Sequence, residues 1–498
     1  MKNQVQLITY VDRLGGQRDG ADLARLTALL SEPGAPLAGV FGGVHLLPFF
    51  HAIDGADAGF DPIDHTRVDP RLGSWADVKA LTERLDVMAD VIVNHMSSES
   101  PQFLDYSEKG EASAHAGLFL TLDAVFPNGA TERDLLTVYR PRPGLPLTYA
   151  TLRCGERRIL WTTFTAAQID IAVRHPQGRA YLSGILRTFA ANGIRMVRLD
   201  AVGYAIKKAG ESCFMMPETF DFIGEFAQEA RALGIEVLVE IHAYHQRQIE
   251  IAARVDWVYD FALPPLVLHA FAFRTAAALK RWIAIRPANA LTVLDTHDGI
   301  GIIDIGADAT DRAAYPGLVP PEELDALVER IHEASGGESR KATGAAASNL
   351  DLYQVNCSFF DAMGRDETAY LLARAIQFFL PGVPQVYYVG LLAGHNDMAL
   401  LARTQVGRDI NRHFYDADEI ARECQRPVVR RLIELIRLRN RHPAFGGDFS
   451  LQPGGDTELH LRWQNGSAWA ALRVDFASRD HALEYSGEAG EAQRFAFS

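Results

Sequence analysis

The chain has 498 residues, enough for one large domain with smaller ones attached. Its 48% hydrophobic and 22% charged residues are ordinary for a globular protein, and no run approaches 18 uninterrupted apolar residues, which excludes a membrane-spanning helix of the usual kind. A net charge of −14 argues against general affinity for nucleic acid or anionic membranes, so an anionic ligand needs a local cluster of arginine or lysine.

The first ten residues, Met1–Tyr10, lack the long apolar core of a signal peptide. Cys154, Cys213, Cys357 and Cys424 lie far apart, with neither CxxC nor zinc spacing. Both features are expected of a cytoplasmic protein with reduced thiols. Apolar runs at Val5–Tyr10, Gly43–Leu47 and Val87–Asn94 read as buried strands, followed by Arg195–Asp200, Ile235–Ile241, Trp257–Phe261, Ala290–Asp295 and Val383–Tyr388. Helical patterns separate them, as at Ala21–Leu30, Ser74–Leu85, Gly178–Asn192, Pro217–Leu233 and Ala276–Ile283. Eight strands alternating with helices predict an α/β fold, a parallel (β/α)₈ barrel. A doubly wound open sheet is the competitor, weakened because no Gly-rich phosphate loop follows the first strand.

Two segments interrupt the alternation. Residues 96–175 carry little helical period and much turn chemistry, and residues 301–365 include Gly336-Gly337 and the small-residue run Gly344–Asn349. Insertions of this length in a compact barrel are usually functional. Past Pro443, Leu459–Trp463 alternates, Asn465-Gly466 marks a tight turn, and Trp469–Phe476 alternates in reply, which predicts a β-hairpin in a small antiparallel domain. The expected division is therefore a barrel in three pieces, 1–95, 176–300 and 366–442, with inserted loop domains at 96–175 and 301–365 and a β domain at 443–498.

Three acidic residues close apolar runs: Asp200, Glu240 and Asp298. A carboxylate past a buried strand is a poor packing choice, because an unpaired buried charge is costly. It is a good choice for catalysis when strands converge at one rim. Each acid alone reads as the cap of the next loop or helix; three together suggest one pocket. Retaining glycoside transfer needs an ionised carboxylate that attacks carbon and a protonated one that serves the leaving oxygen, about 5–5.5 Å apart. Arg198 precedes Asp200 by two, and residues i and i+2 of a strand share a face, so the guanidinium is expected to hold Asp200 ionised as nucleophile. Glu240 has apolar neighbours and no adjacent cation in sequence, so desolvation is expected to keep it protonated as general acid. Asp298 is free to bind sugar hydroxyls and stabilise positive charge on the ring. His95 ends the third strand and His297 accompanies Asp298, both placed to contact sugar, although a lone strand-end histidine is more often structural.

Asp90–His95, Arg198-Leu199-Asp200-Ala201, Glu240 and His297-Asp298 match in order and type the four best-known motifs of the α-amylase superfamily of glycoside hydrolases (family 13). Within it, Met1–Tyr10, Asp54–His65, Tyr139–Pro146, Leu199–Tyr204, Asp295–Gly301, Ala345–Asn356 and Gly407–His413 resemble the sucrose phosphorylase family, from residue 1 to about 440. The resemblance implies Asp200 as nucleophile, Glu240 as general acid/base and Asp298 as transition-state stabiliser. It implies a glucose subsite of Asp57, Phe60, His95, Arg198, Tyr204, His297 and Arg408. It also implies that Arg142 and Tyr353 meet phosphate, with Arg140 the nearest rival to Arg142, and that Asp351, Leu352 and Gln354 meet fructose. The expected small molecules are sucrose, inorganic phosphate, glucose 1-phosphate and fructose, with no nucleic acid and no membrane; a homodimer is possible. Asn94 occupies a place that binds calcium in many amylases, yet no acidic cluster of suitable spacing accompanies it, and neither a metal nor another cofactor is expected. Rival readings are a phosphorylase of sucrose 6′-phosphate, glucosylglycerol or glucosylglycerate, a hydrolase, and a non-catalytic sugar-binding protein on the same barrel.

Overall fold

A computed structural model describes residues 1–53, 58–141, 144–308, 312–343, 354–487 and 490–497. Eight parallel strands close into a barrel: β1 (Gln6–Thr9), β2 (Gly43–Leu46), β3 (Asp86–Ile92), β4 (Met196–Asp200), β5 (Glu236–Val239), β6 (Trp257–Asp260), β7 (Ala290–Thr292) and β8 (Val383–Tyr387). Each strand pairs with its sequence neighbours and β8 closes on β1, with Gln6 opposite Gln385. Helices cover the outer face, which explains why the strands read as continuous apolar runs rather than as alternation. The helix Asp22–Ser31 is typical: Leu23, Leu26 and Leu30 form one buried stripe.

The segment after β3 begins with a short strand, His95–Ser97, paired antiparallel to Gln168–Asp170. Between them lie the ribbon Leu147–Thr151/Arg157–Trp161 and the short helices Pro101–Lys109, Leu122–Val125 and Glu132–Thr137. Helical period is weak here because the helices are short; each starts at a Ser or Thr cap, as where Ser100 Oγ accepts from the Phe103 amide at 3.2 Å. After β7, Ile300–Gly301 pairs with Gln354–Val355, and Pro321–Ala334 forms a helix that a loop reading of 301–365 passes over. Its start is legible in retrospect, with Pro321 at the first helical position and Glu322 and Glu323 in the first turn.

The C-terminal residues form a five-stranded antiparallel sheet, Asp448–Gln452, Glu458–Asn465, Ala468–Asp475, His481–Ser486 and Ala492–Phe495. The expected hairpin is present, but its turn is Gly466-Ser467 rather than Asn465-Gly466. Asn465 pairs with Ala468, and Gly466 takes φ 56°, a left-handed conformation natural to glycine. Trp463 docks the sheet on the barrel by donating its indole N–H to the Phe379 carbonyl at 2.7 Å.

The strands end earlier than the apolar runs. Asp200 is the last residue of β4 and Glu240 follows β5 directly, whereas Asp298 lies six residues beyond Thr292. Asp295 lies beyond the strand, where Arg374, itself buried, takes its carboxylate at 2.7 Å.

Candidate active site

The carboxyl ends of β3, β4, β5 and β7 open on one cavity, lined at its floor by Asp200, Glu240, Asp298 and His297. Arg198 organises it. On β4 the guanidinium shares a face with Asp200, and its Nη1 meets Asp200 Oδ1 at 2.9 Å. The strand register sets Arg198 opposite Asp90 of β3, whose carboxylate meets the same Nη1. The other terminal nitrogen, Nη2, lies 3.1 Å from Glu240 Oε1. One buried cation thus serves three carboxylates.

This arrangement corrects two electrostatic expectations. Glu240 does have an adjacent cation, supplied by the neighbouring strand rather than by its own. Arg198 does not draw the Asp200 carboxyl down: burial pushes it well above the usual carboxylate range, Arg198 only partly offsets this, and Glu240 and Asp90 raise it further. Arg198 is committed first to Asp90, where burial opposes ionisation but Arg198 and His45, at 3.0 Å, pull the carboxyl down to about 2. Asp200 and Glu240 are therefore a pair that shares what remains of one positive charge.

Asp298 behaves differently. Burial would raise its carboxyl, but Arg408 at 2.8 Å, with His297 and Arg198 beyond, holds it well below the carboxylate range. His297 lies flat on Phe60, ring centroids 4.9 Å apart and planes 8° apart, and burial keeps the imidazole neutral. His95 donates from Nε2 to the Phe60 carbonyl at 2.9 Å, so the strand-end histidine fixes the backbone that carries the ring and can offer that proton to a sugar only by sharing it. Phe60, His95, Tyr204, His297, Gln354 and Arg408 all border the cavity, and Arg198 lies directly beneath it, 5.6 Å from the Phe60 ring centre. Gln354 presents a buried Oε1 that has no hydrogen-bond partner among the described residues. Asp57, Arg142, Asp351, Leu352 and Tyr353 lie outside the described residues.

Sequence reasoning missed part of the wall. Phe164 stands edge-on to Tyr204 at 5.2 Å, Phe214 packs on Tyr204 at 4.7 Å, and Tyr139 stacks on Phe214 at 4.5 Å. These rings come from two separate loops, and no local pattern marks them. Ala201, at φ 52°, turns the chain sharply after Asp200 so that Tyr204 returns to the same cavity. His242 was also missed, although its place two residues beyond Glu240 was a usable signal; donor atoms of Glu240, His242 and Asp298 lie within 4.8 Å of one another. Beside Asn94, the Lys207 ammonium meets Asn94 Oδ1 at 2.8 Å, Asp170 at 2.7 Å and the Tyr204 carbonyl, joining the end of β3, the inserted segment and the loop after β4.

A family profile described as Alpha amylase, catalytic domain, matches residues 39–253. The chain is 56% identical to a sucrose phosphorylase of Agrobacterium vitis over 98% of each chain. It is 52% identical to one of Bifidobacterium adolescentis over 99% of this chain and 97% of that one. The crystal structure of sucrose 6F-phosphate phosphorylase from Thermoanaerobacter thermosaccharolyticum superposes with a TM-score of 0.89 at 37% identity, covering 99% of this chain and 98% of the other. A closed parallel barrel with three acids and a shared guanidinium at its carboxyl rim, in a chain related to these over its whole length, has one assignment: the protein belongs to the α-amylase superfamily of glycoside hydrolases and, within it, to the sucrose phosphorylase family.

Proposed function

We propose that this protein catalyses the reversible phosphorolysis of sucrose to α-D-glucose 1-phosphate and D-fructose with retention of configuration. The observation that carries the reading is the bridging of Asp200 and Glu240 by the two terminal nitrogens of Arg198, at 2.9 and 3.1 Å, beside Asp298 in a ring-walled cavity. Double displacement at a sugar carbon requires two carboxyl groups held close together. Identities of 56% and 52% to sucrose phosphorylases over nearly the whole chain support sucrose as donor and phosphate as acceptor.

The reactive form has the pair's proton on Glu240. Asp200 attacks the anomeric carbon, the bond from that carbon to the fructosyl oxygen breaks, and Glu240 gives its proton to the departing oxygen. A phosphate oxygen then attacks the β-glucosyl ester from the same side and expels the Asp200 carboxylate, giving α-glucose 1-phosphate. Phosphate is already anionic, so this second step does not need Glu240 as a base in the way that attack by water does. Asp298, held ionised by Arg408, stabilises positive charge on the ring. Phe60 and Tyr204 wall the sugar face, His95 and His297 contact its hydroxyls, and Asp57 and Arg408 hold the far hydroxyls. Arg142 and Tyr353 receive phosphate, and Asp351, Leu352 and Gln354 receive fructose. Incubation with sucrose and phosphate, followed by assay of glucose 1-phosphate, tests the proposal. Free glucose as the main product refutes phosphorolysis, and preference for sucrose 6′-phosphate, glucosylglycerol or glucosylglycerate moves the donor.

We also read the protein as a cytoplasmic homodimer. All four cysteines are unpaired, and among the described residues no helix is long and apolar enough to cross a membrane. Five of the eight large hydrophobic side chains that are exposed among the described residues, Leu136, Tyr139, Leu145, Tyr149 and Ile159, fall in the segment after β3, and Tyr149 faces Ile159 across the ribbon. Such a concentration supports a protein contact there. A monomer by light scattering at micromolar concentration refutes the dimer.

A further inference from the structure

Beyond the three acids, one buried carboxylate reaches the cavity only through another side chain. Asp304 sits in the single helical turn Ile303–Ile305 after β7 and is fully buried. Its Oδ2 lies 2.8 Å from Nδ1 of His242, and its Oδ1 accepts from the Ala243 amide and from Gln248 Nε2, each at 3.1 Å. The His242 ring lies on Phe261, centroids 3.9 Å apart and planes 13° apart. Space for the pair depends on Gly301: a Cβ there would stand 2.1 Å from Asp304 Oδ2 and 2.9 Å from His242 Nδ1. The carboxylate can only accept, so the proton of His242 is fixed on Nδ1. The other ring nitrogen, Nε2, lies on the Glu240 side, 4.0 Å from Glu240 Oε1, as a buried atom with no hydrogen-bond partner among the described residues.

An aspartate paired only with protein groups would serve as a loop clamp. Here the clamp terminates in a ring nitrogen at the cavity that is unpaired among the described residues, beside the carboxyl that faces the departing and arriving groups. We propose that Asp304 is a positioning residue for the acceptor step: it holds His242 so that an imidazolium Nε2–H faces the oxygen atoms of an anionic acceptor next to Glu240. The proposal rests on the phosphorolysis reading above. The charged groups around His242 are Asp304, Glu240 and Asp298; against the burial of the ring, all three raise its affinity for a proton. Neutral acceptors such as water gain less from the imidazolium than a phosphate dianion does, so the arrangement selects for anions.

The test compares the wild-type chain with Asp304→Asn, using α-glucosyl fluoride as donor and either phosphate or water as acceptor. Asparagine retains an oxygen for Ala243 and Gln248 but removes the charge. The kcat/KM for phosphate is expected to fall by roughly 10-fold or more, the weight of one charge-assisted hydrogen bond, while hydrolysis changes by less than about 3-fold. The alkaline limb of the phosphate profile should move to lower pH, because His242 then loses its proton more readily. Equal losses with both acceptors, or an unmoved limb, would overturn the proposal. A double variant settles the route: Asp304→Asn in a His242→Gln background should cost no further phosphate reactivity, and additive losses would refute action through His242. If Asp304→Asn does not fold, His242→Gln alone carries the test by the same phosphate-to-water ratio. A wild-type chain that makes no glucose 1-phosphate from sucrose would instead refute the phosphorolysis reading, which separates the two failures.

Discussion

Glu240→Gln separates the two halves of the proposed reaction. Glutamine keeps the length of the side chain and an oxygen for Arg198 Nη2, now 3.1 Å from Glu240 Oε1, so the geometry around Asp200 should persist. What disappears is a transferable proton and, when Glu240 is ionised, one of the negative charges around a single guanidinium. With sucrose, the fructosyl oxygen must then leave unprotonated, and kcat should fall by ~10²–10⁴-fold, the usual weight of general acid catalysis. That corresponds to about 3–5.5 kcal/mol of barrier. With α-glucosyl fluoride the leaving group needs no proton. Glucosyl transfer to phosphate should then stay within about 10-fold of the wild-type rate, while transfer to water, which needs a base, should still fall ~10²–10⁴-fold. The charge removed has a second, signed effect. Glu240 is one of the groups that raises the Asp200 carboxyl, so the variant's Asp200 ionises more readily and the acid limb with glucosyl fluoride and phosphate moves to lower pH. Stopped assays of glucose 1-phosphate, fluoride and glucose across pH 4–8 read all of these. Equal losses to phosphate and water, or an acid limb that moves upward, would refute the division of labour.

Asp200→Asn should lower sucrose turnover by more than about 10⁴-fold, and wild-type chain quenched with glucosyl fluoride should carry the sugar on the peptide containing Asp200; an adduct elsewhere relocates the nucleophile. Arg198→Met leaves the fully buried Asp90 without its guanidinium, with His45 as its remaining partner, and should cost ~3–5 kcal/mol in urea unfolding at pH 8. In the wild-type chain Asp90 titrates near 2 when folded, so its stabilisation is present above the unfolded value near 3.8 and is lost only as pH falls through that range toward 2. In the variant the carboxyl, without its guanidinium, rises, so the deficit should shrink between pH 8 and pH 5; a deficit that is constant over that range argues against Asp90 as its source. Lys207→Met should release the segment after β3, since Lys207 and Asp170 are both buried and paired. The expected sign is proteolytic cleavage within 96–175 at urea concentrations that leave the wild-type chain intact, with kcat/KM for sucrose falling through Tyr204; unchanged cleavage refutes the clamp.

Local chemistry made the scaffold legible. Each barrel strand is a short apolar run buried on both faces, each long helix shows its stripe, and Leu459–Phe476 alternates as a hairpin must, so period and turn residues sufficed for the eight strands and the terminal sheet. The short helices after β3 were not legible because four to nine residues carry too little period, and the helix Pro321–Ala334 was lost inside a segment judged by its glycines. For the site, Asp200, Glu240, Asp298, Phe60, Tyr204 and His297 could be named because strand ends and motif order are properties of the chain. Their charges could not. Arg198 was read as the partner of Asp200 alone, because along a strand only i and i+2 are visible. Register across β3 and proximity across β5 gave the same guanidinium to Asp90 and Glu240, and three carboxyl groups on one cation leave the Asp200 carboxyl raised rather than lowered. His242 with Asp304, Lys207 with Asn94 and Asp170, and the rings of Phe164 and Phe214 likewise meet across loops many residues apart. The sequence determined which groups stand at the rim. Only closure of the barrel decided which of them share a charge, because electrostatic partners are set by distance in space and by burial, and neither is a periodic property of the chain.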